Sequence, residues 1–588
     1  MVLLIAFALV AAACSSDDSG TEETEETTTT AAAETEESTT TTAAAETTTT
    51  TEAKVERPYG GEAIVANDQE PPTLNQFVPG GDNSIVSIVG QTYWAGVQEI
   101  SGFTLELIPE LVVELPTTSN GGVTVNDDGT MTVRYQILDE AVWADGTPIS
   151  GDDFQFTYDI IMDPDLPVNK VTYEDIVSTT VGEKTFEYTL SAPTVQYELL
   201  FGEVIPKHVV EGTDFVADWN DVRWVSNGPF VFSEWAKGEF LTVTRNDNYW
   251  KTDEETGQQL PYLDSVTFKF IPETESILTA FQAREVDVIA PPPNTDAIET
   301  VQTLEPEGAR VEVLSGPVWE HVNFQFGPNR FEKNENSCND QLEMRLAVAQ
   351  TIDKQILTDE ILAGQVEPLE SYVSAFAPTL SSDAWAQYTV DNAAAAENYA
   401  AAVANSGTEC AVVFSTTSNN DARVKMSELF VGMFEKSGIP YENQLEDSQL
   451  FFGETLDNGS WDLGEWAWSS SPGLAGLVGI HDVFDPESPP PDGQNSYRYG
   501  TEDSSVIDDA SARFAEVRDE MNATVDPDEL AALITEAETI LADQVVMIPL
   551  YARLVFAAVW EDEIGNFKHN PTQASETWNV EYWYRTDA

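Results

Sequence analysis

Apolar residues along this chain recur with two periods, and each period marks a different kind of element. In GEAIVAND (61–68) and SVTFKFI (265–271) they alternate every second residue, which predicts strands. TVNDDGTMTVRYQIL (124–138) predicts a hairpin, with Asp128-Gly129 at the turn and Val125, Met131, Val133 and Tyr135 on the strand faces. Asn126, Asp127 and Asp128 also raise calcium. However, a calcium loop needs further spaced carboxylates and a distal Glu, which do not follow. In AVWADGTPISGDDFQFTYDII (141–161), Asp145-Gly146 turns the chain and Ser150 with Asp153 forms a helix-start pattern. Phe154, Tyr158 and Ile161 then recur at helical spacing. Residues 225–250 predict two strands around Lys237-Gly238, and 275–289 a helix running into a strand.

The second half repeats the mixture. WEHVNFQF (319–326) predicts a strand with Val322, Phe324 and Phe326 on one face and Trp319, His321 and Asn323 on the other. Residues 342–362 predict one helix closed by Gly364, and 421–438 another. Strands are expected at 410–416 and at the start of SWDLGEWAWSSSPG (460–473). Asp526 and Pro527 supply an N-cap and a first helical position for 526–544. Two strands are expected in 544–560. Strands and helices in both halves indicate an α/β fold.

The N-terminus departs from both periods. Residues 2–13 are continuously apolar, too short for a spanning helix but the length of a signal-peptide core. Ala11, Ala12 and Ala13 precede Cys14, which resembles a bacterial lipobox and makes Cys14 the expected lipidation site. No basic residue precedes Cys14, as if the start were assigned too late, and a plain secretory signal is the alternative. Residues 15–57 are nearly all Thr, Glu, Ala, Ser and Asp, a composition that buries too little apolar surface to fold. They are expected to act as a disordered tether.

Charge narrows the partners. The 588 residues carry 103 acidic and 26 basic side chains, for a formal charge of −77. Nucleic acid and anionic lipid surfaces both need a basic face, so neither is expected as a partner. Such acidity also suits a saline medium. Catalysis finds little support. The four histidines, His208, His321, His481 and His569, form no H-E-x-x-H, and no G-x-S-x-G occurs. A secreted hydrolase is the remote alternative to a non-enzymatic binder, and no cofactor or metal is expected.

Across 58–588 the ordered segments GGEAIVANDQEPPTLN, VWADGTPISGDDF, VIPKH, SNGPFVFSEWAKG, RNDNYW, LDSVTFKFI, AFQAREVDVI, MRLAVAQTIDKQI, GMFEKSGI, WDLGEWAW and VVMIPLY resemble the extracellular solute-binding proteins of peptide- and nickel-type ABC importers. The resemblance implies a two-lobed, periplasmic-binding-protein-like α/β fold that closes on a ligand. By analogy 58–315 forms lobe I with an extra subdomain at about 100–220, 316–514 forms lobe II, and 515–588 returns to lobe I. The implied protein is a monomer at the outer face of the cell membrane, held there only by its lipid. It takes an oligopeptide or similar solute to a permease; an oligosaccharide or other non-peptide solute is the alternative.

Trp468 aligns with the family's pocket-edge Trp, and Trp466 shares its strand face. Peptide binders of the family often carry an Asp three residues on, for the ligand ammonium; here that residue is Ser471. Neutral hydroxyls at Ser469, Ser470 and Ser471 therefore favour an uncharged or weakly charged ligand. Were another carboxylate to replace the Asp, Glu465 and Asp482 are the first candidates. Tyr93, Trp94, Trp319, His321 and Asn323 are further ligand candidates, each with ordinary packing as its alternative. With Cys14 lipidated in an oxidising compartment, Cys338 and Cys410 are expected to pair; two separate thiols are the alternative.

With a complete signal peptide restored, the wild-type protein should incorporate labelled fatty acid and sediment with membranes. Cys14→Ala should do neither, and identical behaviour of the two would remove the anchor.

Overall fold

Ten strands form one mixed sheet, and two of them are much longer than the rest. The computed structural model describes residues 55–587, apart from 79, 82, 167, 169, 171, 293, 294, 491 and 492. The expected signal segment with Cys14, and the tether as far as residue 54, lie outside the described residues. The sheet order is Tyr441–Glu446, Val412–Thr417, Leu463–Ser469, Ala309–Phe324, Met547–Trp560, Val288–Ile289, Glu62–Asn67, Ser265–Phe270, Phe240–Arg245 and Phe230–Ala236.

The long strands Ala309–Phe324 and Met547–Trp560 run antiparallel and join the two halves of this sheet. Ala309–Ser315 pairs with Leu554–Trp560, and Trp319–Asn323 pairs with Met547–Ala552. Between them the register breaks at Gly316-Pro317, where proline offers no N–H to the ladder. From Val318 onward the first long strand also pairs with Leu463–Ser469.

Each half contains parallel pairs with a helix in the crossover. Thr274–Gln282 connects Ser265–Phe270 to Val288–Ile289, and Asp421–Ser437 connects Val412–Thr417 to Tyr441–Glu446. Both faces of Val412–Thr417 are covered, and every residue of it is buried, the polar Ser415, Thr416 and Thr417 included. A separate four-stranded antiparallel sheet comprises Val123–Val125, Met131–Gln136, Thr185–Leu190 and Ile176–Val181. Helix Gly151–Met162 packs on it through Phe154, whose ring stacks on Phe186 at 5.6 Å. Ser150 N–H donates to Asp153 Oδ2 at 3.0 Å, closing the helix start. Gly129 has φ +87°, the conformation its hairpin turn requires.

Three expectations change. Residues 342–362 form two helices, Leu342–Thr351 and Lys354–Leu362, because Asp353 caps the second by accepting from Ile356 N–H at 3.2 Å. Met547–Trp560 is one strand, not two; its partner Ala309–Phe324 runs alongside nearly its whole length, and Pro549 sits at a register irregularity. The third concerns helices Asp509–Ala523 and Pro527–Asp543, most of whose length was expected in the return to the first half. They pack on the second: Phe514 meets Phe484 and Tyr499, and Tyr388 Oη donates to Ala542 O at 2.8 Å. Helical periodicity identifies an apolar stripe but not the surface that will cover it.

Among the described residues no helix is long and apolar enough to cross a membrane. Cys338 and Cys410 form a disulfide with Cα atoms 5.6 Å apart, tying the approach to Leu342–Thr351 to the strand that begins at Val412. Their sequence separation is 72, a long loop to close. Replacing both cysteines by serine should lower unfolding free energy by about 2–4 kcal/mol. Urea titration of the double variant checks this, and an unchanged midpoint would contradict it.

Candidate ligand-binding cleft

Gly90 has room for no side chain: a Cβ there would stand 2.1 Å from the ring of Trp94. That close approach, at the end of helix Ser84–Gly90, seats the Trp94 ring in the wall of a cavity of about 250 Å³. Glu99, Glu110, Tyr249, Trp578 and Glu581 line the same cavity from the first half of the fold. Ser471 and Pro472 line it from the loop after Leu463–Ser469, in the second half. A neighbouring cavity of about 300 Å³ is bounded by Tyr135, Tyr197, Leu380, Gly473, Leu474 and Leu477. Gln98, Leu107 and Glu198 border both, so the two form one cleft with a partition.

Glu198 makes that partition. Its Oε2 accepts from Leu474 N–H at 2.6 Å and from Ala475 N–H at 3.2 Å, across the gap between the halves. Burial pushes its carboxyl up to about 7, against the pull of those two donors. At the other end, Lys251 Nζ lies 3.7 Å from Glu99, 3.5 Å from Glu110 and 3.5 Å from Glu581. Gly96 N–H donates to the second oxygen of Glu110 at 2.9 Å. Burial raises Glu110 to about 8 and Glu581 to about 7, and the Lys251 charge opposes both shifts. The Tyr249 hydroxyl is buried beside this group without a hydrogen-bond partner.

The residues singled out from sequence divide into two sets. Trp94 and Ser471 line the cleft. Tyr93 does not: it is fully buried behind Trp94, with the Arg223 guanidinium 5.0 Å from its ring centre. Trp319, His321, Asn323 and Trp466 lie in the core, and none lines either cavity. Trp319 stacks on Tyr372 at 5.2 Å and donates to Ser470 Oγ at 3.1 Å, which accounts for Ser470 being buried. His321 Nε2 meets Tyr497 Oη at 3.0 Å, and burial lowers its pKa to about 3, leaving it neutral. Trp466 stacks on the same Tyr497 at 5.4 Å. Trp468 is half-buried and donates to Tyr497 Oη at 2.7 Å; neither it nor the exposed Ser469 lines the cleft.

Glu465 and Asp482 also lie elsewhere. Thr416 Oγ1 donates to Glu465 at 2.6 Å, and Arg423 Nε is 3.4 Å away. Burial and the Glu320 charge hold Glu465 well above the carboxylate range. Asp482 pairs with Arg518 at 3.0 Å. The carboxylates at the cleft are instead Glu99, Glu106, Glu110, Glu198 and Glu581. Nothing distinguished them along a chain with 103 acidic residues. The one available signal was Lys251, a scarce cation directly after the aromatic pair Tyr249-Trp250. Among the described residues no group of three or more His, Cys, Asp or Glu is placed to hold a metal ion.

Comparison with known proteins agrees with this architecture. The oligopeptide-binding protein OppA of Bacillus subtilis is 22% identical over 454 residues, spanning 71% of this chain and 76% of its own. AppA of the same organism is 24% identical over 327 residues, about half of each chain. Among solved structures, the periplasmic EDTA-binding protein EppA superposes with a TM-score of 0.69 at 21% identity, covering 91% of this chain and 98% of its own. AppA in complex with a nonapeptide gives 0.57 at 18% identity, covering 90% of this chain and all of its own. These structures share the two-lobed α/β fold. Residues 106–476 match the family described as bacterial extracellular solute-binding proteins, family 5 Middle, and the chain belongs to that family.

Proposed function

We propose that this protein captures an oligopeptide, or a solute of similar size, between its lobes and delivers it to an ABC import permease. It works from the outer face of the cell membrane, tethered through lipid on Cys14, as a monomer without catalytic activity. The observation that carries the reading is the shared cleft. Trp94, Glu110, Tyr249 and Trp578 face Ser471, Pro472 and Leu474 across it, so a bound solute touches both halves. The two cavities have the size and mixed lining of a small-molecule site. The names of OppA and AppA support a peptide as cargo; EppA's name places a different ligand on the same fold.

We place the division between lobes at Gly316-Pro317 and near Arg553, where the long strands change partners. Lobe I is then 58–315 with the chain beyond Arg553, and the four-stranded sheet is its extra subdomain. Lobe II takes in the two helices between Asp509 and Asp543.

Gly202 offers a direct test. It lines the cavity, is exposed, and a Cβ built there meets nothing within 4 Å. Gly202→Trp should fill the cleft without disturbing the fold. Mass spectrometry of small molecules released on denaturing gently purified protein should find a solute in wild type and little in the variant. Adding that solute back should show affinity at least tenfold weaker in the variant, about 1.4 kcal/mol, at an unchanged melting temperature. Equal loading of both proteins would move the site elsewhere.

A further inference from the structure

We infer that the solute carries a cationic head, a primary ammonium or a guanidinium, seated among Glu99, Glu110 and Glu581 against Tyr249. The inference rests on the reading of the cleft as the solute site and names the class of solute it takes.

Three carboxylates face one ammonium here, at 3.5 to 3.7 Å from Lys251 Nζ. At those separations Lys251 neutralises the group in part and makes no short hydrogen bond to any of the three. Glu110 and Glu581 are 10% and 5% exposed, so water reaches neither freely. A second, independent observation lies beside them. Tyr249 is 2% exposed, lines the same cavity, and its hydroxyl has no partner. A buried hydroxyl left unpaired is costly, and an incoming N–H donor recovers that cost. The Trp94 and Trp578 side chains border the same space, and aromatic faces attract cations.

Donor type fits an organic cation better than the alternatives. The carboxylates are not grouped closely enough for a metal ion. An anionic chelate or acid would meet like charge from Glu99, Glu110, Glu198 and Glu581, with Lys251 already among three of them. A neutral sugar would leave the excess negative charge uncompensated in a confined site. The neutral hydroxyls near Ser471 therefore do not decide the charge of the ligand. The ammonium role that Ser471 cannot take passes to the opposite wall of the cleft.

The test adds four probe sets to the full-length protein and follows its melting temperature. They are random tripeptides, the same tripeptides N-acetylated and free of Lys and Arg, agmatine with related amines, and neutral trisaccharides. Only sets carrying an ammonium or guanidinium should raise it. Their affinity should fall with added salt and rise severalfold from pH 6 to pH 8. Glu110 and Glu581, held partly protonated by burial beside Glu99, Glu198, Lys251 and Tyr249, lose protons when a cation binds. Glu99→Gln, at a position one-quarter exposed, should weaken binding at least fivefold, and Glu110→Gln at least tenfold. Equal stabilisation by acetylated peptides or trisaccharides, or none by any cationic set, overturns the inference. Gly202→Trp separates the two levels of reading. If neutral probes bind and the variant abolishes their binding, the cleft stands and the cationic head falls. If cationic probes bind the variant as they bind wild type, the site itself is elsewhere.

Discussion

Two antiparallel strands, Ala309–Phe324 and Met547–Trp560, hold the two halves of the sheet together, and the arrangement of the cleft follows from them. Hydrogen bonding along both ends of the ribbon makes each half rigid up to the point where pairing breaks. The break at Gly316-Pro317 leaves a short stretch with fewer backbone bonds between the two paired ends. The loop carrying Ser470 through Leu474 leaves the sheet beside this point; Ser470 N–H donates to Pro317 O at 3.1 Å. The side of the cleft formed by the second half is thus anchored where the ladder breaks. Behind it lies the buried core of Trp319, His321 and Trp466, which lines neither cavity.

That core explains why the aromatic residues most visible in the sequence are not at the cleft. Trp319, His321, Trp466 and Trp468 occupy paired positions on neighbouring strands, Trp319 opposite Trp468 and His321 opposite Trp466. Their common face is covered by Tyr372 and Tyr497, which come from loops remote in sequence. Strand alternation gives the shared face correctly. It does not say what lies above that face, and here the cover is protein. Trp94, itself 8% exposed, reaches the cleft wall because Gly90 lets its ring fold back on its own helix, a contact between near neighbours.

Legibility follows the range of the interaction. The hairpin at Asp128-Gly129, the helix start at Ser150 and the Asp526-Pro527 cap rest on bonds within four residues, and each element forms where its residues place it. The split of 342–362 was also local. Asp353 after two β-branched residues is an N-cap signal inside an apparently continuous stripe. The carboxylate group at the cleft draws on residues 99, 110, 251 and 581, and only the tertiary fold brings them together. On a chain this acidic, spacing carries no information about such a group.

Scarcity of cations gives the acidic composition its structural meaning. With 26 basic residues, several are placed against buried acceptors: Arg423 and the partly exposed Arg553 flank Glu320, Arg223 pairs with Glu203 in the core, and Arg345 caps backbone carbonyls of Asn339 and Gln544. Each of these answers a buried acceptor that would otherwise be costly. Lys251 is different, since it meets more negative charge than it carries. A fourth carboxylate, Glu198, spans the same cleft and is held by two backbone N–H groups of lobe II. If the solute binds here as proposed, closure over it removes water, and the lower dielectric strengthens attraction and repulsion alike. A ligand shifts the lobes only by its differential affinity for the closed form. In a cleft built this way, that differential grows with the ligand's positive charge.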